Sequence, residues 1–142
     1  MGLSTVTPHP TPTFDDAVRS AVARGSALGE PSALLVIAVD DAEAERALAS
    51  VVRAADVVAD LGDGSCGVVL FAISRLPAAS VAERLERRLA LGHDRPGTSR
   101  VGMSLVGPWE RRTADAVLRA ARADLRERLA ANAAPAEQLA AA

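Results

Sequence analysis

Apolar residues recur along the chain in two rhythms. Phe14, Ala17, Val18, Ala21 and Val22 return every three to four positions, as on a helix with one buried stripe. The same spacing joins Ala44, Ala47, Leu48, Val51, Val52 and Ala55, then Val81, Leu85 and Leu89, and finally Ala114, Val117, Leu118, Ala121, Leu125 and Leu129. Elsewhere the apolar residues run unbroken. Residues 33–39 and 66–73 are continuous apolar runs of strand length, which predicts two strands covered on both faces. Residues 57–61 form a shorter, less apolar strand, and residues 100–106 alternate, with Val101, Met103 and Leu105 on one half-buried side.

The punctuation agrees with this reading. Thr13 can cap the first helix, with Asp15 and Asp16 in its positive first turn, and Gly25, Gly29 and Pro31 break the chain after it. Asp40 and Asp41 open a second helix extending to Ala55. Gly62-Asp63-Gly64-Ser65 between two β-rich runs signals a hairpin. Pro77 and the capping box Ser80-Val81-Ala82-Glu83 start the third helix, residues 92–97 form a loop, and Thr113 caps the last helix. Residues 1–12, with Pro8, Pro10 and Pro12, predict a disordered tail. The folded domain is expected over 13–131, with a flexible or frayed tail over 132–142.

The predicted order is α, β, α, β, β, α, β, α. Without the terminal helices, βαββαβ remains, the split βαβ unit of ferredoxin-like α+β folds. Right-handed crossovers then place the first strand beside the third, put both crossover helices on one face and give the sheet order 4-1-3-2. The two wholly apolar strands fall in the centre of that order and the more polar ones at its edges.

Composition narrows the chemistry. The formal net charge is −2 and aromatic content is 2%, namely Phe14, Phe71 and Trp109. Neither a basic footprint nor a stacking surface for nucleic acid is present. The chain has one cysteine, Cys66, two histidines, His9 and His93, and no lysine, which argues against a disulfide framework, a structural metal or a bound cofactor. No apolar run approaches the roughly 20 residues that span a bilayer, and the first residues lack a secretory pattern, so a soluble cytoplasmic protein is expected. Cys66 opens a predicted core strand and reads as a buried, inert thiol. Trp109, after Gly107-Pro108, is the one large aromatic expected near the surface, where it packs under the last helix or anchors a partner.

The stretch Arg53-Ala54-Ala55-Asp56-Val57-Val58-Ala59-Asp60-Leu61-Gly62-Asp63-Gly64-Ser65-Cys66-Gly67-Val68-Val69-Leu70 resembles the centre of GGDEF domains, the diguanylate cyclase family. There an Arg-x-x-Asp precedes the Gly-Gly-Asp/Glu-Glu-Phe hairpin by five residues, and an apolar strand follows. Val81-Ala82-Glu83-Arg84-Leu85, Val101-Gly102-Met103-Ser104 and Thr113-Ala114-Asp115-Ala116-Val117-Leu118 are similar to later motifs of that family, in the same order. The resemblance covers about residues 14–130 and implies the nucleotide-cyclase-like palm.

Measured against that pattern, the chain is degenerate. The second hairpin Gly is Asp63, and the two acidic positions are Gly64 and Ser65. Ala38 takes the place of the metal-binding Asp after the first strand, with Asp40 two residues later, and Asp40 and Asp63 are the carboxylates available as shifted ligands. One helix stands where the family has two, the family's phosphate-contacting Lys has no counterpart, and Arg122 replaces an Asp in the last helix. Joining two GTP molecules needs carboxylates that hold divalent cations against the triphosphate, so the resemblance implies a catalytically inactive domain with no catalytic or metal residues.

What the resemblance retains is regulatory. The Arg-x-x-Asp register implies a cyclic di-GMP site at Arg53 and Asp56, assisted by Arg84 on the following helix. An Arg fork suits guanine O6 and N7, and a carboxylate suits its N–H edge. Against this stand a local Arg53–Asp56 ion pair, a solvated Arg84 and a second Arg-x-x-Asp at Arg112–Asp115. Binding through this site, or nucleotide-independent scaffolding through helix faces or a sheet edge, makes a partner protein or a homodimer the expected route of action.

Overall fold

The computed structural model describes residues 14–39, 43–90 and 100–141, from residue 132 as backbone alone. Eight elements follow one another as α1 (Phe14–Leu28), β1 (Ser32–Ala38), α2 (Ala44–Ala49), β2 (Val57–Asp60), β3 (Ser65–Leu70), α3 (Arg75–Ala90), β4 (Val101–Val106) and α4 (Ala114–Ala141). The strands form one sheet in the order β2-β3-β1-β4 with every neighbouring pair antiparallel, which is the expected α+β arrangement. The proline-rich residues 1–12, Thr13, Asp40, Asp41 and the loop at 92–97 lie outside the described residues.

The unbroken apolar runs are explained by two cores, one on each face. Leu34 and Val36 of β1, Val69 of β3 and Val106 of β4 meet Phe14, Val18 and Ala21 of α1 and Val117, Ala121 and Leu125 of α4. Ala33, Leu35, Ile37, Cys66, Val68 and Leu70 point the other way, against Leu48 of α2 and Ala78 and Leu85 of α3. Strands covered on both sides have no polar face to display.

Four sequence expectations need correction. α2 does not reach Ala55: it stops at Ala49, and the Asp56 side chain takes the Arg53 N–H at 3.0 Å, a bond that a continuing helix would need for itself. β3 ends at Leu70 and not at residue 73, because Asp56 also takes the Phe71 N–H at 3.1 Å and Ala72 turns to φ 51°. α3 begins at Arg75, so the Ser80–Glu83 pattern lies inside the helix rather than at its cap. Pro77 fits the first turn, where its missing N–H has no intrahelical partner. β4 is covered on both faces rather than half-buried: Gly102 and Ser104, which read as a polar side, lie beneath α4. A Cβ on Gly102 would fall 2.7 Å from Leu125 Cα. Thr113 caps α4 as expected, accepting from the Ala116 N–H at 3.1 Å. The backbone of α4 runs to Ala141, through the stretch that composition assigned to a flexible or frayed tail.

The sheet edges carry side-chain caps. On β4, Asp124 accepts from the Met103 N–H at 2.8 Å, and Arg112 donates to the Leu105 carbonyl. On β2, Glu45 accepts from the Asp60 N–H at 2.8 Å. Occupied edge groups weaken the template for pairing with another strand.

Candidate functional site

The turn after α2 brings the sequence candidates together. Within Arg53–Asp56, the Asp56 N–H donates to the Arg53 carbonyl at 3.0 Å, while the Arg53 N–H donates to Asp56 Oδ2 at 3.0 Å. The Arg53 guanidinium returns to the same carboxylate, Nε to Oδ2 and Nη2 to Oδ1, both at 3.0 Å. It also donates to the Phe71 carbonyl, while the Phe71 N–H donates to Asp56 Oδ1. Asp56 thus ties the entry of β2 to the exit of β3, with its side chain only 1% exposed against 55% for Arg53. Bonding to Asp56 raises the Arg53 pKa above its usual value. The ring of Phe71 extends this cluster to α1, since the Arg24 guanidinium lies 4.9 Å from its centroid.

Beside this turn lies a groove of about 360 Å³. Val51, Val52, Ile73, Pro77 and Val81 supply its apolar surface; Arg53, Asp56, Ser80 and Arg84 supply its polar groups. The volume falls at the lower end of small-molecule sites, about 300–1,000 Å³. Arg84 is exposed on α3 and has no side-chain partner among the described residues. All three candidates, Arg53, Asp56 and Arg84, therefore border one concave surface, two as a locked pair and one as an uncommitted cation. Helical spacing carries α2 through Val51 and Val52 and the unbroken apolar run carries β3 to Ile73, and only the early ends of both elements release these residues to the groove.

The hairpin forms a second feature. Ala38 and Ser65, two positions where the resemblance would place acids, face each other across the β1–β3 ladder. Asp63 is engaged within the chain: the Ser65 hydroxyl donates to Oδ1 and Arg122 Nη1 donates to Oδ2 at 2.9 Å. These bonds lower the Asp63 pKa, that of Ser65 contributing most. The two departures at positions 63 and 122 thus pair with each other. Among the described residues no group of three or more His, Cys, Asp or Glu side chains is placed to share a metal ion.

The remaining candidates have plain structural roles, with one exception. Cys66 is buried, and burial pushes its thiol up to about 11. In the second Arg-x-x-Asp, Arg112 pairs with Glu110 at 2.9 Å rather than with Asp115. Trp109 corrects the expectation that it packs under α4. It is 67% exposed at φ 60°, its N–H donates to the Gly25 carbonyl at 2.8 Å, and its indole lies against Gly29, next to Leu28, which is 71% exposed. Among the described residues no helix is long and apolar enough to cross a membrane.

No protein-family model matches the chain, and no curated protein matches it in sequence. Solved structures do. A sensory box/GGDEF family protein from Caulobacter crescentus is 27% identical over 78% of this chain and 86% of its own, with a TM-score of 0.61. The GGDEF domain of DgcB from Caulobacter crescentus, solved in complex with c-di-GMP, is 18% identical over 87% of this chain and 91% of its own, with a TM-score of 0.60. The diguanylate cyclase SiaD from Pseudomonas aeruginosa, in complex with its activator SiaC, is 19% identical over 80% of this chain and 52% of its own, with a TM-score of 0.66. The antiparallel β2-β3-β1-β4 sheet between two helical layers is therefore a GGDEF-like fold.

Proposed function

We propose that this chain is a catalytically inactive GGDEF-like domain that works by binding, with cyclic di-GMP as its ligand at the Arg53–Asp56–Arg84 groove. The convergence of two guanidinium groups from separate elements on one part-apolar groove carries this reading. Arg53 is held ready by Asp56, which reduces the conformational entropy lost on binding, and the apolar surface suits a purine face. The reading is also supported by the c-di-GMP complex of DgcB, whose GGDEF domain shares the fold. The inactive reading is supported by the hairpin, where Gly64 and Ser65 bring no carboxylate, Ala38 brings none opposite them, and Asp63 is paired with Arg122.

Calorimetric titration with cyclic di-GMP is the test. Wild type binds, and Arg53→Ala and Arg84→Ala each weaken binding about tenfold or more, a loss of about 1.4 kcal/mol. Absence of heat with wild type at tens of micromolar overturns the ligand. Incubation with GTP and Mg²⁺ or Mn²⁺ yields no cyclic product; any product overturns inactivity.

A second reading rests on Trp109 and Leu28, a large aromatic and an aliphatic side chain exposed at one corner. Exposed aromatics anchor protein interfaces, and SiaD was solved with a protein partner. In that reading the domain is a nucleotide-independent interaction or dimerisation scaffold. Binding of a partner that Trp109→Ala abolishes and cyclic di-GMP leaves unchanged distinguishes it.

A further inference from the structure

Trp109 stands outside the fold because its backbone is fixed there. Its φ of 60° is left-handed, a region that bulky residues occupy only where neighbours impose it. Here they do: the Trp109 N–H donates to the Gly25 carbonyl at 2.8 Å, and Glu110 accepts from the Gly107 and Arg112 N–H groups on either side, both at 3.1 Å. The indole rests on Gly29, where a Cβ would come 3.3 Å from Cζ2, and is 67% exposed. Leu28, the neighbour of Gly29, is 71% exposed. Removing this pair from water is favourable, and their fixed geometry lowers the entropy lost when something covers them.

The chain carries a segment suited to that corner. Residues 1–13 contain no Asp, Glu or Arg, although 24% of the chain is charged, and they offer Leu3 and Val6 followed by Pro8, Pro10 and Pro12. They join α1 at Phe14, and Leu28 closes the same helix. The 15 residues of α1 rise about 22 Å. A polyproline II strand advances about 3.1 Å per residue, so about seven residues return that length. Residues 7–13 span it; Val6 then arrives at Leu28, and Leu3, about 9 Å farther on, arrives at Trp109. We infer that residues 1–13 fold back along α1 and cover the Trp109–Leu28 corner of their own molecule. The three prolines lower the cost, because their φ is already fixed and less chain entropy is lost. Prolines in this conformation also pack against aromatic rings. A protein partner at this corner must then displace the segment.

Trp109 is the single tryptophan of the chain, so its fluorescence reports on the corner directly. Emission and acrylamide quenching are measured at several protein concentrations on the full chain and on the full-length variant Leu3→Ser/Val6→Ser, whose changes lie before α1. Wild type is quenched about twofold less than the variant, as expected when about half of the exposed indole surface is covered. It also emits to the blue of the variant, and both differences persist at every concentration. Equal quenching and emission in the two proteins overturn the inference. A difference that vanishes on dilution overturns it as well, because the segment then comes from a second copy.

Discussion

Replacing Asp56 by Asn separates the structural work of this carboxylate from any contact with a ligand. The change keeps size and shape but puts an NH₂ donor where an acceptor oxygen stood. At least two of the four bonds are lost, and the amide donor faces Arg53 or the Phe71 N–H. A backbone N–H left unpaired in a part-buried site costs about 1–3 kcal/mol, so the variant is destabilised by about 2–4 kcal/mol. For a chain of 142 residues, a loss of 1 kcal/mol lowers Tm by about 4 °C, so the expected fall is about 8–16 °C. Arg53→Ala removes the guanidinium from the same pair but leaves both backbone bonds intact. Because Arg53 is 55% exposed, it costs no more than about 1 kcal/mol. The assay is thermal and urea denaturation of the two variants beside wild type. If Asp56→Asn melts no lower than Arg53→Ala, the carboxylate is not the fastener between β2 and β3, and it is free to meet a ligand.

Further outcomes follow from other parts of the fold. The Arg112 guanidinium beside Glu110 holds its carboxyl at about 2 instead of 4.5; folding therefore favours the ionised form. That stabilisation is complete above pH 4.5 and is lost as pH falls toward 2, so wild type loses more stability over this window than Glu110→Gln in pH-dependent denaturation. Gly102→Ala pushes a methyl into the backbone of α4 at Ala121 and Leu125 and lowers stability by about 1–3 kcal/mol in urea titration. Asp124→Ala uncovers the Met103 N–H on the edge of β4 and increases concentration-dependent association by light scattering; an unchanged scattering mass refutes the role given to that cap.

The sheet was legible because its signal is collective. Two unbroken apolar runs can only be central strands once the order βαββαβ is fixed, and the observed β2-β3-β1-β4 order follows. The exact ends of elements were not legible, because they are set by one side chain acting at a distance. Val51, Val52 and Ala55 continue the helical rhythm of α2, yet Asp56 captures the Arg53 N–H and the helix stops. The same carboxylate cuts β3 short at Phe71. Gly102 and Ser104 misled for a different reason. Small residues look like a solvent face, whereas here they are small because α4 passes directly over them. Trp109 lies near the surface as the sequence suggests, but not under α4: its backbone is committed to a turn at φ 60° pinned to the Gly25 carbonyl, which leaves the indole outside.

The site was legible as a register and illegible as a set of roles. The resemblance nominates Arg53, Asp56 and Arg84, and all three border the groove. A register does not say that Asp56 spends every acceptor on its own chain while Arg84 has no side-chain partner among the described residues. The hairpin carries the same lesson. Read singly, Asp63 and Arg122 are two unrelated departures from a pattern, and Asp63 is open to interpretation as a shifted metal ligand. In space they are one ion pair of 2.9 Å with Ser65 on its other side. A cation that recruited Asp63 would have to displace Arg122 and then find its remaining ligands beside Ala38, Gly64 and Ser65, whose side chains bring no second carboxylate. Asp63 and Arg122 thus satisfy each other's charge across the hairpin and α4, a pairing that neither residue reveals when read singly.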